Sequence, residues 1–318
     1  MTKKLRAALA RFFLTPSDGQ ALSALRIVVA TAMLAEALTV WPFIEGLYGP
    51  FGYLQSHLLD FLTGATIPGI ALRSGISATY YVTFLHGFYA LHLAVLALFA
   101  LGLGTPYVAI LVWLTKTFLI NSGNYSSYGV DSYFHNITFF LALFPSNRHW
   151  SLDRLLGRAG KGTPEESSTL GLRIIQLFLL MTYINAGVGK GMGAQWWSGE
   201  AIWESLNLPE FHHLGDFTWM AWYPLFPKLL GWGTVFAETF YFAGVWIPRY
   251  GRLWALAIAG MHLGIAAFMG MREFGFTLAA INVVLFLEPW KLPAWARERS
   301  WRFRVGPERS GNTPLRAL

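Results

Sequence analysis

ALSALRIVVATAMLAEALTV, residues 21–40, decides the fold. Its only charged side chains are Arg26 and Glu36. A helix of that length reaches about 30 Å, the thickness of a bilayer's hydrocarbon core. Lys3, Lys4, Arg6 and Arg11 precede it. The run is too long for a signal peptide and lacks a small-residue cleavage site, so it reads as a retained membrane helix.

Similar runs recur through the chain. The 318 residues are 54% hydrophobic, 16% aromatic and only 13% charged, against about 25% charged in an ordinary soluble domain. Cysteine is absent, which excludes disulfides, thiol nucleophiles and cysteine-ligated metal or iron–sulfur centres. The net charge of +7 gathers at the N-terminus, over Arg148–Lys161, at Arg249/Arg252 and from Lys291 to Arg316. That is loop asymmetry rather than a nucleic-acid stripe. Membrane lipids, not nucleic acid, are the expected partner of the basic tail.

Apolar periodicity and glycine/proline breaks predict helices at about 21–41, 79–101, 107–121, 132–145, 170–190, 225–247, 252–270 and 274–289. With a cytoplasmic N-terminus, four of the five inward-facing ends are basic clusters, whereas the outer connections hold none. The expected fold is all-α: a polytopic membrane helical bundle of about eight transmembrane helices, both termini cytoplasmic, in the cell (inner) membrane. Residues 1–18 form a basic amphipathic segment on the membrane surface, 19–290 the transmembrane domain, and 291–318 a basic cytoplasmic tail.

Ionisable groups at membrane depth are functional candidates, because each is costly to bury. They are Glu36, His86, His92, Lys116, His135, Lys190, Glu238 and His262. Gln176, Tyr183 and Lys190 recur at seven-residue steps, one polar stripe facing the bundle interior. Asp131, His135 and Thr138 share a face of their helix, so Asp131 can orient the His135 imidazole. Thr234, Glu238 and Tyr241 align likewise. Helix direction puts Lys190 and His135 at the same outer depth, where they can meet. Lys190 lies in YINAGVGKGMGAQWWSGEAIW, residues 183–203, between glycines and ahead of paired tryptophans.

Each candidate has a plainer reading. Lys190 can be a snorkelling helix-end lysine, with Trp196 and Trp197 as belt residues. The lone histidines can be interhelical hydrogen-bonders. Lys116 and Glu238 can be a structural ion pair, and His212-His213 a solvated loop. His86 and His92, six residues apart, do not share a face, which weighs against a metal site. The Gly-Lys-Gly run is no phosphate loop: Ile184 stands where its first glycine belongs, and Gly191 where Ser or Thr should follow the lysine.

Five stretches, in order, resemble the HTTM family, the membrane domain shared with vitamin K-dependent gamma-carboxylase. They are ALSALRIVVATAML with Arg26, LYGPFGYL, FHNITFFLALFPSNRHWSLDRLLG, YINAGVGKGMGAQWWSGEAI and GMHLGIAAFMGM. The resemblance implies that Lys190 is the base deprotonating a reduced quinone of the vitamin K type. His135 is its proton partner, and His262 the matching late-helix histidine. The sequence departs at Gly189, where the carboxylase has a first lysine, and residues 291–318 read as a basic tail where the carboxylase has a large soluble domain. Lipase maturation and toxin maturation proteins resemble the same fold, so fold alone does not fix the reaction.

Two functions follow. One is a carboxylase-like enzyme with Lys190 as base, His135 as proton partner and Asp131 as its orienter, acting with a quinol or lipid-like cosubstrate at the outer face. The other is a non-catalytic maturation or binding protein for a secreted peptide, a lipid or a separate soluble partner. A transporter is a distant third, since hydropathy shows no inverted repeat.

Overall fold

A computed structural model describes residues 3–53, 61, 66–123, 127–209, 214–248 and 250–288. His212-His213, Arg249 and the 291–318 tail lie outside them. The chain up to Leu287 forms one compact unit. Among the described residues it is helical throughout, with no strand.

The helices, in chain order, are α1 (Lys3–Leu14), α2 (Gln20–Val40), α3 (Ile44–Tyr48), α4 (Ile67–Arg73), α5 (Ala78–Leu101), α6 (Thr105–Ser122) and α7 (Gly129–Leu143). There follow α8 (Leu152–Leu155), α9 (Glu166–Gly191), α10 (Ala194–Ser198), α11 (Glu200–Asn207), α12 (Leu225–Gly244), α13 (Gly251–Phe268) and α14 (Arg272–Asn282). A π-turn, Val283–Leu287, continues α14. Each of the eight predicted segments contains a helix. Four stretches are long and apolar enough to cross a membrane: Gln20–Tyr48, Ala78–Leu101, Glu166–Gly191 and Gly251–Phe268. They mark a membrane protein. Of the rest, α7 and α14 are too short to qualify, at 15 and 11 residues.

The surface supports the same conclusion. Large apolar side chains point outward along the helices, among them Leu38, Leu91, Leu114, Met181, Phe236 and Leu256. The interior, by contrast, holds Arg26, His92, Lys116, Asp131, Gln176, Glu238, His262 and Asn282. An apolar exterior around polar contacts suits a hydrocarbon solvent, where backbone and side-chain polar groups must find partners within the protein.

α1 has no buried residue and lies against α9. The Arg173 guanidinium sits 4.6 Å from the Phe12 ring centroid and donates to the Phe12 carbonyl at 3.3 Å. The basic segment is therefore docked through its last turn.

One end of the bundle is tied by two charges. Arg26, fully buried, donates to Phe99 and Ala100 O, at the C-terminus of α5, at 2.9 and 3.1 Å. It also reaches Ser146 O at 3.1 Å and Trp150 O at 2.6 Å. A cation there complements the carbonyls a helix leaves unpaired. Gly102 closes the α5–α6 turn at φ +70°, and a Cβ there would fall 2.1 Å from Arg26 Nη1. Asp153 accepts from the Gly104 and Thr105 amides at 2.8 and 3.0 Å, capping α6, and from Asn147 at 2.9 Å. Burial pushes its carboxyl up, but the hydrogen bonds outweigh burial and hold it below the usual carboxylate range.

Candidate functional site

Two lysine–carboxylate clusters sit inside the bundle. In the first, Lys116 on α6 binds Asp131 Oδ1 on α7 at 2.5 Å and Glu36 on α2 at 3.0 Å. All three side chains are largely buried. Asp131 also accepts from the Tyr128 amide at 2.8 Å, closing the first turn of α7. Its carboxylate is thus occupied and makes no hydrogen bond to His135 among the described residues. The expected Asp131–His135 pair is corrected: the lysine one helix away outcompetes a neutral ring one turn away. His135 instead stacks on Trp113, ring centroids 5.0 Å apart, and its Nδ1 is buried without a partner.

In the second cluster, Lys190 Nζ on α9 meets Glu238 Oε2 on α12 at 2.6 Å. The proposed Lys116–Glu238 pair is likewise corrected, since each has a different partner. Gly187 makes the second cluster: a Cβ there would fall 2.5 Å from the Thr239 amide nitrogen. Only glycine lets α12 come close enough to bring Glu238 beside Lys190. Trp196 lies 5.4 Å from the ammonium, a cation–π contact. Gly189 is different, because a Cβ there would meet nothing within 4 Å.

Lys190 and Glu238 open onto a cavity of about 680 Å³. Phe226, Leu230 and Ile265 are among its apolar lining residues, α11 and Phe217–Met220 contribute to it, and His262 joins the lining from α13. His135 is not among the lining residues. Equal predicted depth therefore did not make Lys190 and His135 neighbours; the histidine sharing the Lys190 cavity is His262.

The protonation pattern around His262 follows from one backbone carbonyl. Leu278 O can only accept, so the Asn282 atom 2.8 Å away is the amide nitrogen. The Asn282 oxygen then accepts from Tyr241 at 2.9 Å. The second Asn282 N–H donates to the Tyr183 oxygen at 2.7 Å. Tyr183 is buried, and the acceptor left for its own proton is His262 Nε2, at 2.7 Å. A neutral imidazole there carries its proton on Nδ1, which is buried and has no partner among the described residues. A donor in that state costs free energy until an acceptor is supplied.

The polar stripe on α9 reads as expected, each member meeting the interior: Gln176 donates to Leu285 O at 2.5 Å, Tyr183 meets His262, and Lys190 meets Glu238. His86 and His92 bond Glu45 and Thr115, both at 2.7 Å, as interhelical linkers. Asn282 was missed, because an inventory of ionisable groups passes over amides. Its place in the middle of an apolar helix was the available signal.

Compared with protein-family models, curated proteins and solved structures, the chain matches none. The site must be interpreted from its own geometry.

Proposed function

We propose that the chain is a multi-pass protein of the cell (inner) membrane that admits an amphipathic, lipid-like molecule to the Lys190 cavity and removes a proton from it there. The supporting observation is a lysine–carboxylate pair at 2.6 Å on the wall of an otherwise mostly apolar cavity of about 680 Å³. That volume is in the range of ordinary small-molecule sites. At rest the ammonium is held by Glu238. An apolar ligand drives water out, and two dry charges lose their solvation. Moving one proton from Nζ to Oε2 neutralises both and leaves an amine. The amine takes the proton of a quinol hydroxyl or similar acid, and the resulting oxyanion faces the new ammonium. His262 Nδ1–H supplies a second donor to that oxygen once the ligand reaches it.

The proposed topology keeps eight spans, both termini cytoplasmic and the Lys190 end outward. The HTTM-like stretches support the same class of chemistry, with a reduced quinone of the vitamin K type as candidate cosubstrate. In this reading His262, not His135, accompanies the lysine, and Glu238 is the proton relay. The rival reading is a non-catalytic binding or maturation protein, with a secreted peptide or a separate soluble partner. It draws on the resting state, in which Lys190 is already paired.

Mass spectrometry of lipids co-purified with wild type, Lys190→Met and Glu238→Gln tests the proposal. A lipid-like acid retained by wild type and lost from both variants is the expected result. Identical lipid profiles in all three would sink it. If the molecule retained by wild type keeps its acidic proton, as its ultraviolet spectrum on the protein would show, binding without catalysis is the correct reading.

A further inference from the structure

The segment joining α7 to α9 carries a second site, independent of the Lys190 cavity. Arg148, Arg154, Lys161 and Glu165 line an open cavity of about 450 Å³ together with Gly160 and Thr163. Three cations face one carboxylate. The fold uses only part of their bonding capacity. Arg148 Nη2 donates to Thr163 O at 2.9 Å and Pro164 O at 2.8 Å, which curls the loop around the guanidinium. Arg148 Nε is buried and has no acceptor among the described residues. Arg154 commits Nη1, to Arg148 O at 3.0 Å and His149 Nδ1 at 2.6 Å. Lys161 forms no ion pair among the described residues.

The backbone adds donors of its own. Gly160 and Gly162 take φ of +65° and +75° on either side of Lys161, which is not left-handed. A turn with alternating sign of φ belongs to the backbone class in which successive amides can converge on one anion. Among the described residues the amides of Gly160, Lys161 and Gly162 donate to no protein acceptor. Charge bias across a membrane accounts for basic residues in this loop. It does not account for their concave arrangement beside backbone amides that, among the described residues, donate to no protein acceptor.

We propose that this cavity binds a phosphate group, either on a lipid headgroup or free in solution. Guanidinium groups and backbone amides suit its tetrahedral oxygens, and a 450 Å³ cavity has room for more than the bare ion. Glu165, on the rim, opposes a second negative charge and limits affinity.

The test uses the full chain in neutral maltoside micelles, with inorganic phosphate as probe at constant ionic strength, followed by calorimetry and melting temperature. Wild type is expected to bind. Lys161→Gln should weaken binding about tenfold, the worth of one hydrogen bond to a charged group, and Glu165→Gln should strengthen it. Neither side chain holds the loop, so both variants should melt like wild type without phosphate. A second titration in the same micelles, with glycerophosphoglycerol (a deacylated lipid headgroup) as probe, separates the sources. Tighter binding of that headgroup than of inorganic phosphate makes a lipid headgroup the occupant. Weaker binding makes it free phosphate. No binding by wild type, or wild-type affinity in both variants, overturns the proposal.

Discussion

Lys116 and Lys190 are both interhelical lysines bonded to carboxylates, yet they do different things. Lys116 faces two carboxylates, and its side chain is 6% exposed. Lys190 faces one, is 25% exposed, and borders a cavity with His262. The first cluster has spent its bonding capacity on the fold; the second keeps some in reserve. Burial of a charge alone does not mark a reactive site. Spare bonding capacity beside empty space does.

The largest expected effect tests the structural cluster. Lys116→Met leaves Glu36 and Asp131 buried without their cation, and should cost about 3–5 kcal/mol. Thermal unfolding in detergent reads this, and adding Glu36→Gln and Asp131→Asn should recover most of the loss. A melting point unchanged by Lys116→Met would erase the contrast between the two lysines. Next comes Gly187→Ala, which drives a methyl into the Thr239 backbone and should cost up to about 3 kcal/mol. Its neighbour supplies the control: Gly189→Ala meets nothing and should gain up to about 1 kcal/mol, the helix preference for alanine. Similar melting points for the two variants would mean that α9 and α12 are not closely apposed.

Lys190→Met comes third. It strands one buried acceptor, so about 1–2 kcal/mol of stability should go, while lipid retention is lost altogether. A variant that keeps both its lipid and its proton chemistry would return Lys190 to the role of anchor. The smallest effect is confined to acid. Asp153 is held below its ordinary value, so its stabilisation is complete above the unfolded pKa of about 3.9 and disappears as pH falls through the lower folded value. Asp153→Asn should flatten the melting-temperature profile below about pH 5 and change its slope little above it.

Much of this architecture was readable from the sequence. Lipid-facing helices need long apolar runs, so the four helices of membrane-crossing length declared themselves, and the seven-residue stripe of α9 gave its inner face. Short amphipathic pieces such as α3, α10 and α11 did not, because a few turns carry too little periodicity to separate from loop. Pairing was the harder matter. Sequence gives a residue's depth and face, but not which helix stands opposite. Lys116 and Glu238 were therefore matched to each other when each belongs elsewhere, and His135 was brought to Lys190 on depth and resemblance, neither of which fixes the facing helix. The close approach that decides the real pair is at Gly187, and its significance depends on Thr239, which only the packing identifies.

Arg26 has a consequence for biosynthesis. Its carbonyl acceptors lie 73, 74, 120 and 124 residues further along the chain. At about 5–20 residues per second, the last of them leaves the ribosome roughly 6–25 s after Arg26 does. During that interval α2 carries a guanidinium into the translocon with none of its final partners. An arginine at a helix centre costs about 2.5–3.5 kcal/mol on the insertion scale; Arg26, seven residues into α2, carries a smaller but still unfavourable share. The first helix should therefore linger at the translocon's edge until residues 146–150 arrive. Nascent chains stopped just before that point should cross-link to the translocon far longer than an Arg26→Leu chain of equal length.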